Sequence, residues 1–212
     1  GLSFKRAPGF MDVVTYDGTG SAGTFAHNLG VEPELLIVRS RNQAQDWMVY
    51  SKPTGNSAYF RINKNEAINN NVAIWNNATP TSSVFSLAGD GYGVNNSGIE
   101  HLAILFASLD GISKISTYTG TGNDGINVDC GFTAGARFVM IKRTDSTGNW
   151  FVWDSNRGIV SGNDPYILLN STSAQDTTTD YIDPLNAGFT VNGSSTAQIN
   201  TSGGTYLFLA IA

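Results

Sequence analysis

Two pairs of apolar bursts decide the fold class: Leu35-Leu36-Ile37-Val38-Arg39 with Trp47-Met48-Val49-Tyr50, and Phe138-Val139-Met140-Ile141-Lys142 with Trp150-Phe151-Val152-Trp153. Each burst is short, rich in β-branched and aromatic side chains, and set off by polar turn formers, which is the chemistry of a strand. The first burst of each pair is apolar without alternation, so it reads as a strand buried on both faces. Similar bursts run Met11 to Tyr16, Tyr59 to Ile62, Val84 to Leu87 and Leu102 to Ala107, then Tyr166 to Leu169, Gly188 to Val191 and Tyr206 to Ala212. A spacing of about 8–12 residues is that of a sandwich or barrel. No stretch sustains a 3.6-residue period, so the expected class is all-β. Asp17-Gly18, Asn123-Asp124-Gly125 and Ser202-Gly203-Gly204 supply residues tolerant of positive φ. Hairpin meanders are the default connection, with long loops expected at 63–83 and 170–187.

The bursts repeat at an offset of about 102 residues. Val14-Thr15-Tyr16-Asp17-Gly18-Thr19-Gly20 matches Ser116-Thr117-Tyr118-Thr119-Gly120-Thr121-Gly122. Ala58 to Asn63 matches Pro165 to Asn170, Val84 to Leu87 matches Gly188 to Val191, and Val94-Asn95-Asn96-Ser97-Gly98 matches Ile199-Asn200-Thr201-Ser202-Gly203. The matches keep their order along the chain. The expected architecture is therefore two tandem pseudo-repeated antiparallel β-sandwich units, jelly-roll-like, spanning 1–110 and 111–212. The join at Leu109-Asp110-Gly111 has no Pro/Ser-rich linker. Close packing of the two units is the expectation.

Composition narrows the function classes. Of 212 residues only 14% are charged, the formal net charge is -5, and Gly, Ser, Thr and Asn account for 85. There is no basic run, which speaks against a nucleic-acid partner. An apolar content of 41% is enough for a real core. The longest apolar runs fall far short of the roughly 20 residues of a membrane span, so no membrane insertion is expected. The chain starts at Gly1 with neither an initiator Met nor an apolar leader, so we read no signal peptide. Such a start also fits a fragment of a longer protein.

No residue pattern assembles into a reactive site, and we expect no catalytic residue, cofactor or metal. The lone Cys130 sits in the alternating stretch Val128 to Phe132 and reads as a small buried side chain. His101 is matched by Tyr206, which suits a flat polar-tipped side chain on a strand, and His27 has no neighbouring nucleophile. One Cys and two distant His have no zinc-ligand spacing. Asp90-Gly91-Tyr92-Gly93 and Asn123-Asp124-Gly125 lack the acidic series of an EF-hand and read as Asx turns. Asp145, Asp154, Asp164, Asp176, Asp180 and Asp183 stand in loop contexts and read as solvated turn carboxylates. Any two of them could converge for glycoside hydrolysis. Trp47, Trp150, Tyr50 and Trp153 match between the units and read as core anchors. Trp75, flanked by Asn76 and Asn77 in a polar stretch, is the candidate exposed contact for a carbohydrate or protein.

Four strings are similar to a known domain: Phe4-Lys5-Arg6-Ala7-Pro8-Gly9-Phe10, His27-Asn28-Leu29-Gly30-Val31-Glu32-Pro33-Glu34-Leu35, Ile141-Lys142-Arg143-Thr144-Asp145 and Gly203-Gly204-Thr205-Tyr206. Together they resemble a β-rich domain at the C-terminal end of tailed-bacteriophage tail-fibre-like and other virion structural proteins, and the resemblance covers essentially the whole chain. It implies a non-enzymatic virion component, in first place a distal tail-fibre domain that contributes to host-surface recognition. Its partners would be other virion proteins and a host cell-surface glycan or protein. A homo-oligomer is expected, with a trimer as the usual order for a fibre. The location would be the virion, in first place the tail, with the capsid surface as the other position. The alternatives are a capsid decoration or other structural domain without a receptor, and a carbohydrate-binding or glycan-active module.

Overall fold

The computed structural model describes residues 3–193 and 198–212. It divides into two compact units, one formed by Phe4–Asn63 with Ile68–Ser108, the other by Leu109–Ala212 with Lys64–Ala67. The fold is all-β, and both units are built of antiparallel sheets.

The first unit holds β1 (Met11–Asp17), β2 (Gly23–Ala26), β3 (Leu35–Ser40), β4 (Met48–Ser51), β5 (Ala58–Arg61), β6 (Asn69–Asn70), β7 (Val84–Leu87) and β8 (Glu100–Phe106). Its large sheet has the order β1-β8-β3-β4-β5-β6, and β2 pairs with β7 in a separate two-stranded sheet. The second unit holds β9 (Ser113–Thr119), β10 (Ile126–Asp129), β11 (Phe138–Arg143), β12 (Trp150–Asp154), β13 (Tyr166–Leu168), β14 (Ile182–Leu185), β15 (Gly188–Val191) and β16 (Thr205–Ile211). Its large sheet runs β13-β12-β11-β16-β9, and its small sheet β10-β15-β14. Written from the edge strand inward, β9-β16-β11-β12-β13 has the order of β1-β8-β3-β4-β5.

Each core lies between a large and a small sheet, as in a sandwich. In the first unit Leu36, Val38, Tyr50, Ala103 and Leu105 of the large sheet meet Phe85 and Leu87 of β7. In the second, Val139, Ile141, Phe151, Trp153 and Phe208 meet Val128, Ile182, Phe189 and Val191. Phe189 stands edge-on to Phe208 with ring centroids 5.5 Å apart. β3 and β11 carry buried residues on both faces, in keeping with their unbroken apolar sequence.

Two expectations change. The meanders β3-β4-β5 and β11-β12-β13 are local, but β8 inserts between β1 and β3, and β16 between β9 and β11. Hairpins are therefore not the rule: the long first and last strands of each unit pair with each other. The expected loops at 63–83 and 170–187 also contain strand, β6 in one and the whole of β14 in the other. β14 includes Pro184, which its position at a sheet edge accommodates.

Candidate functional site

The first unit carries an open cleft of about 670 Å³, within the size range of small-molecule sites. Three stretches form it: the β3–β4 connection, β5 with the turns on either side of Asn71, and the β7–β8 connection. Ile74, 2% exposed, and the half-buried Met48 provide its apolar part. Tyr59 of β5 and Tyr92 of the β7–β8 connection pack against the core and remain partly exposed.

The polar wall is fixed by its own hydrogen bonds. Asp46 Oδ2 meets the Arg61 guanidinium at 3.1 Å, and its Oδ1 accepts from Asn63 Nδ2 at 2.7 Å. Asn63 Oδ1 in turn accepts the Trp47 backbone N–H at 3.2 Å. Asn71 Oδ1 accepts the Ala73 N–H at 3.0 Å, closing an Asx turn, and Asn96 Oδ1 accepts the Gly93 N–H at 3.1 Å. Among the described residues, the Nδ2 groups of Asn71 and Asn96 and the hydroxyls of Tyr59 and Tyr92 meet no protein partner. Gln45 Oε1 is buried without a partner. Gly93 lies beside it at φ 73°, where an added Cβ would stand 3.2 Å from that oxygen.

The β7–β8 connection is held from below by Asn95, fully buried. Its Oδ1 accepts the Thr19 N–H at 2.8 Å, while its Nδ2 donates to Ser21 O at 2.7 Å and Ala88 O at 3.0 Å. Asn200 does the same in the second unit, accepting from Thr121 N–H at 2.9 Å and donating to Asn123 O and Gly193 O. Close approach of the two chain segments leaves no room at Gly18, whose added Cβ would fall 2.0 Å from Asn96 O. Gly18 has no positive φ, so contact rather than a left-handed turn requires glycine there.

The second unit makes a matching set of backbone-fixing bonds. Asn170 Oδ1 accepts the Trp150 N–H and its Nδ2 donates to Asn149 Oδ1, both at 2.8 Å. Asn149 stands where the first unit has Asp46, and its Nδ2 donates to Gln198 Oε1 at 2.9 Å, the matching residue to Gln198 being Gly93. Tyr166, the match of Tyr59, packs with tilted rings against Tyr181 at 5.4 Å and Phe151 at 5.2 Å and remains partly exposed.

The candidate contact Trp75-Asn76-Asn77 needs correction. Trp75 is only 1% exposed; its Nε1–H donates to Ala58 O at 2.8 Å, and its ring stands edge-on to Tyr50 at 5.8 Å. Asn76 and Asn77 are exposed and take the left-handed conformation at φ 51° and 50°, turning the chain so that the indole points inward. The polar neighbours mark a turn rather than a surface platform. Of the matched aromatic anchors, Tyr50, Trp150 and Trp153 are buried, while Trp47 is half-buried with the Arg39 guanidinium 4.3 Å above its ring.

The remaining reactive groups are engaged in structure. His27 Nδ1 accepts the Leu29 N–H and its Nε2 bonds Thr81 O, so it is held as the Nε2–H tautomer, and burial lowers its pKa. His101 lies stacked on Tyr16 at 5.2 Å, as Tyr206 lies on Tyr118 at 5.0 Å. Burial pushes the Cys130 thiol up to about 12. Asp90 Oδ1 accepts the Ser97 N–H and Asp124 Oδ1 the Gly193 N–H, so these two carboxylates tie separate stretches of chain rather than close the expected Asx turns. Two of the loop carboxylates are buried rather than solvated: Asp154, which accepts from Asn156 N–H and Arg157 N–H, and Asp164.

Fold and cleft together define a class: an all-β domain of two sandwich units, one of which presents an open cleft of tyrosines and side-chain amides. The chain belongs to the family described as a domain of unknown function, DUF7483, whose model matches residues 2–212. No curated protein and no solved structure matches it.

Proposed function

We propose that this chain is a non-enzymatic structural component of a tailed-bacteriophage virion, a distal tail-fibre domain that contributes to host-surface recognition. The observation that carries this reading is the cleft, whose polar groups are pre-set by bonds among themselves and whose lining includes no histidine, cysteine or lysine. That arrangement suits holding a ligand rather than transforming one. The low charge supports the same reading, because a surface that relies on neutral hydrogen bonds is screened little by salt outside the cell. The resemblance of residues 4–10, 27–35 and 141–145 to virion domains adds the setting.

The experiment is electron microscopy of particles labelled with antibodies raised against this domain. Label at the distal end of the tail is expected. Label on the capsid would overturn the fibre reading in favour of a decoration role, and an unlabelled particle would remove the virion assignment altogether.

A further inference from the structure

The cleft of the first unit has a chemistry that selects among ligands. We infer that it is a binding site for a neutral oligosaccharide, with Tyr59 and Tyr92 as ring platforms and Asn71 and Asn96 as its hydrogen-bonding groups. This rests on the host-surface reading only for where the saccharide comes from.

Two amide donors and two phenol hydroxyls are without protein partners among the described residues. Donors and acceptors interleaved at one surface match hydroxyl groups, each of which can both give and take a hydrogen bond. The half-exposed tyrosine rings, anchored on the core, suit the C–H faces of sugar rings.

Charge decides the class of sugar. None of the lining residues is Lys, Arg or His, and the one charged member is the carboxylate of Asp46. Arg61 beside it is bound to that carboxylate. A sulfated, phosphorylated or sialylated chain would find no cation among the lining residues to receive it.

The second unit supplies an internal comparison. There Tyr181 packs against Tyr166, Gln198 bonds the residue matching Asp46, and that residue is the uncharged Asn149. The shared framework, Asn63 and Asn170 capping Trp47 and Trp150, is structural; the residues that differ line the open cleft.

The test is binding of the purified chain to an immobilised saccharide panel. The panel holds neutral oligosaccharides of glucose, galactose, mannose and N-acetylhexosamines beside sialylated and sulfated ones, and the best neutral probe is then titrated by calorimetry. Binding confined to neutral members is expected. Asn71→Asp and Asn96→Asp keep the side-chain oxygen that each turn needs, replace the free amide donor with an acceptor and add one negative charge. Each should weaken binding about tenfold, the scale of one net hydrogen bond. Tyr92→Ala should lose more than Tyr92→Phe, which keeps the ring. Unchanged melting temperatures separate these losses from misfolding. Preference for anionic members, no binding to any neutral member, or variants that bind like the parent would each overturn the inference. A chain that labels tail tips yet binds no neutral saccharide refutes the cleft alone. One that binds saccharide but is absent from virions refutes the virion reading alone.

Discussion

At the scale of single residues, the polar side chains separate into those that face water and those that the fold encloses. Asp164 is the sharpest case. Its surroundings of Gly, Asn and Pro suggest a solvated loop carboxylate, yet it is fully buried. One carboxyl oxygen accepts the Val160 N–H at 2.8 Å and the other has no hydrogen-bond partner. Burial first, and then the neighbouring Asp180 and Asp183, raise its pKa to about 7. The folded state therefore holds a proton that the unfolded chain, near its ordinary 3.8, has already released. Stability contributed by this group is complete below about pH 4, falls as pH rises toward 7 and is level above. Asp164→Asn, uncharged throughout, should gain on the parent by roughly 1–3 kcal/mol between pH 4 and 8. Urea denaturation at a series of pH values measures this, and parallel profiles for the two proteins would contradict it.

At the scale of elements, the apolar bursts locate most strands of the large sheets, and Val84–Leu87 and Gly188–Val191 coincide with β7 and β15 to the residue. β2 and β10 escaped notice because each has four residues with alternate ones exposed, so neither offers a run of apolar side chains. Their places are set by partners: β2 pairs with β7, and β10 with β15. The turn that follows β1 shows how such segments are tied. Asn95 binds Thr19, Ser21 and Ala88 through one buried amide, and the next residue, Asn96, lines the cleft. Asn95→Ala should cost roughly 1–3 kcal/mol, because three backbone groups lose the partner that ties them together. Denaturant titration gives the loss. Hydrogen exchange at Thr19 should accelerate with it, and a variant as stable as the parent would show the clamp to be dispensable.

At the scale of the whole molecule, both units close by pairing their outermost strands. Met11 is opposite Phe106 across β1 and β8, and Ser113 is opposite Ile211 across β9 and β16. Such closure delays the reward for ordering the chain until distant segments meet, so refolding should take milliseconds to seconds, as for other β-sandwiches. Stopped-flow fluorescence of the buried Trp75, Trp150 and Trp153 would follow it, and completion within microseconds would contradict this account. The sequence by itself determined the all-β class, most of the strand positions and the burial of Cys130. These follow from which side chains leave water and from local turn preferences, and both are properties of short stretches of chain. Only the tertiary structure decided that Trp75 lies inside, that Asp164 is buried, and that Tyr59, Asn71, Tyr92 and Asn96 share one cleft. The difference between Asp46 and Asn149, and between Gly93 and Gln198, was visible as a mismatch between the repeated stretches, but its meaning was not. The reason is range: Trp75 finds its acceptor 17 residues away and Asn95 its donor 76 away, so what these polar groups face depends on which strands pair, which no local pattern records.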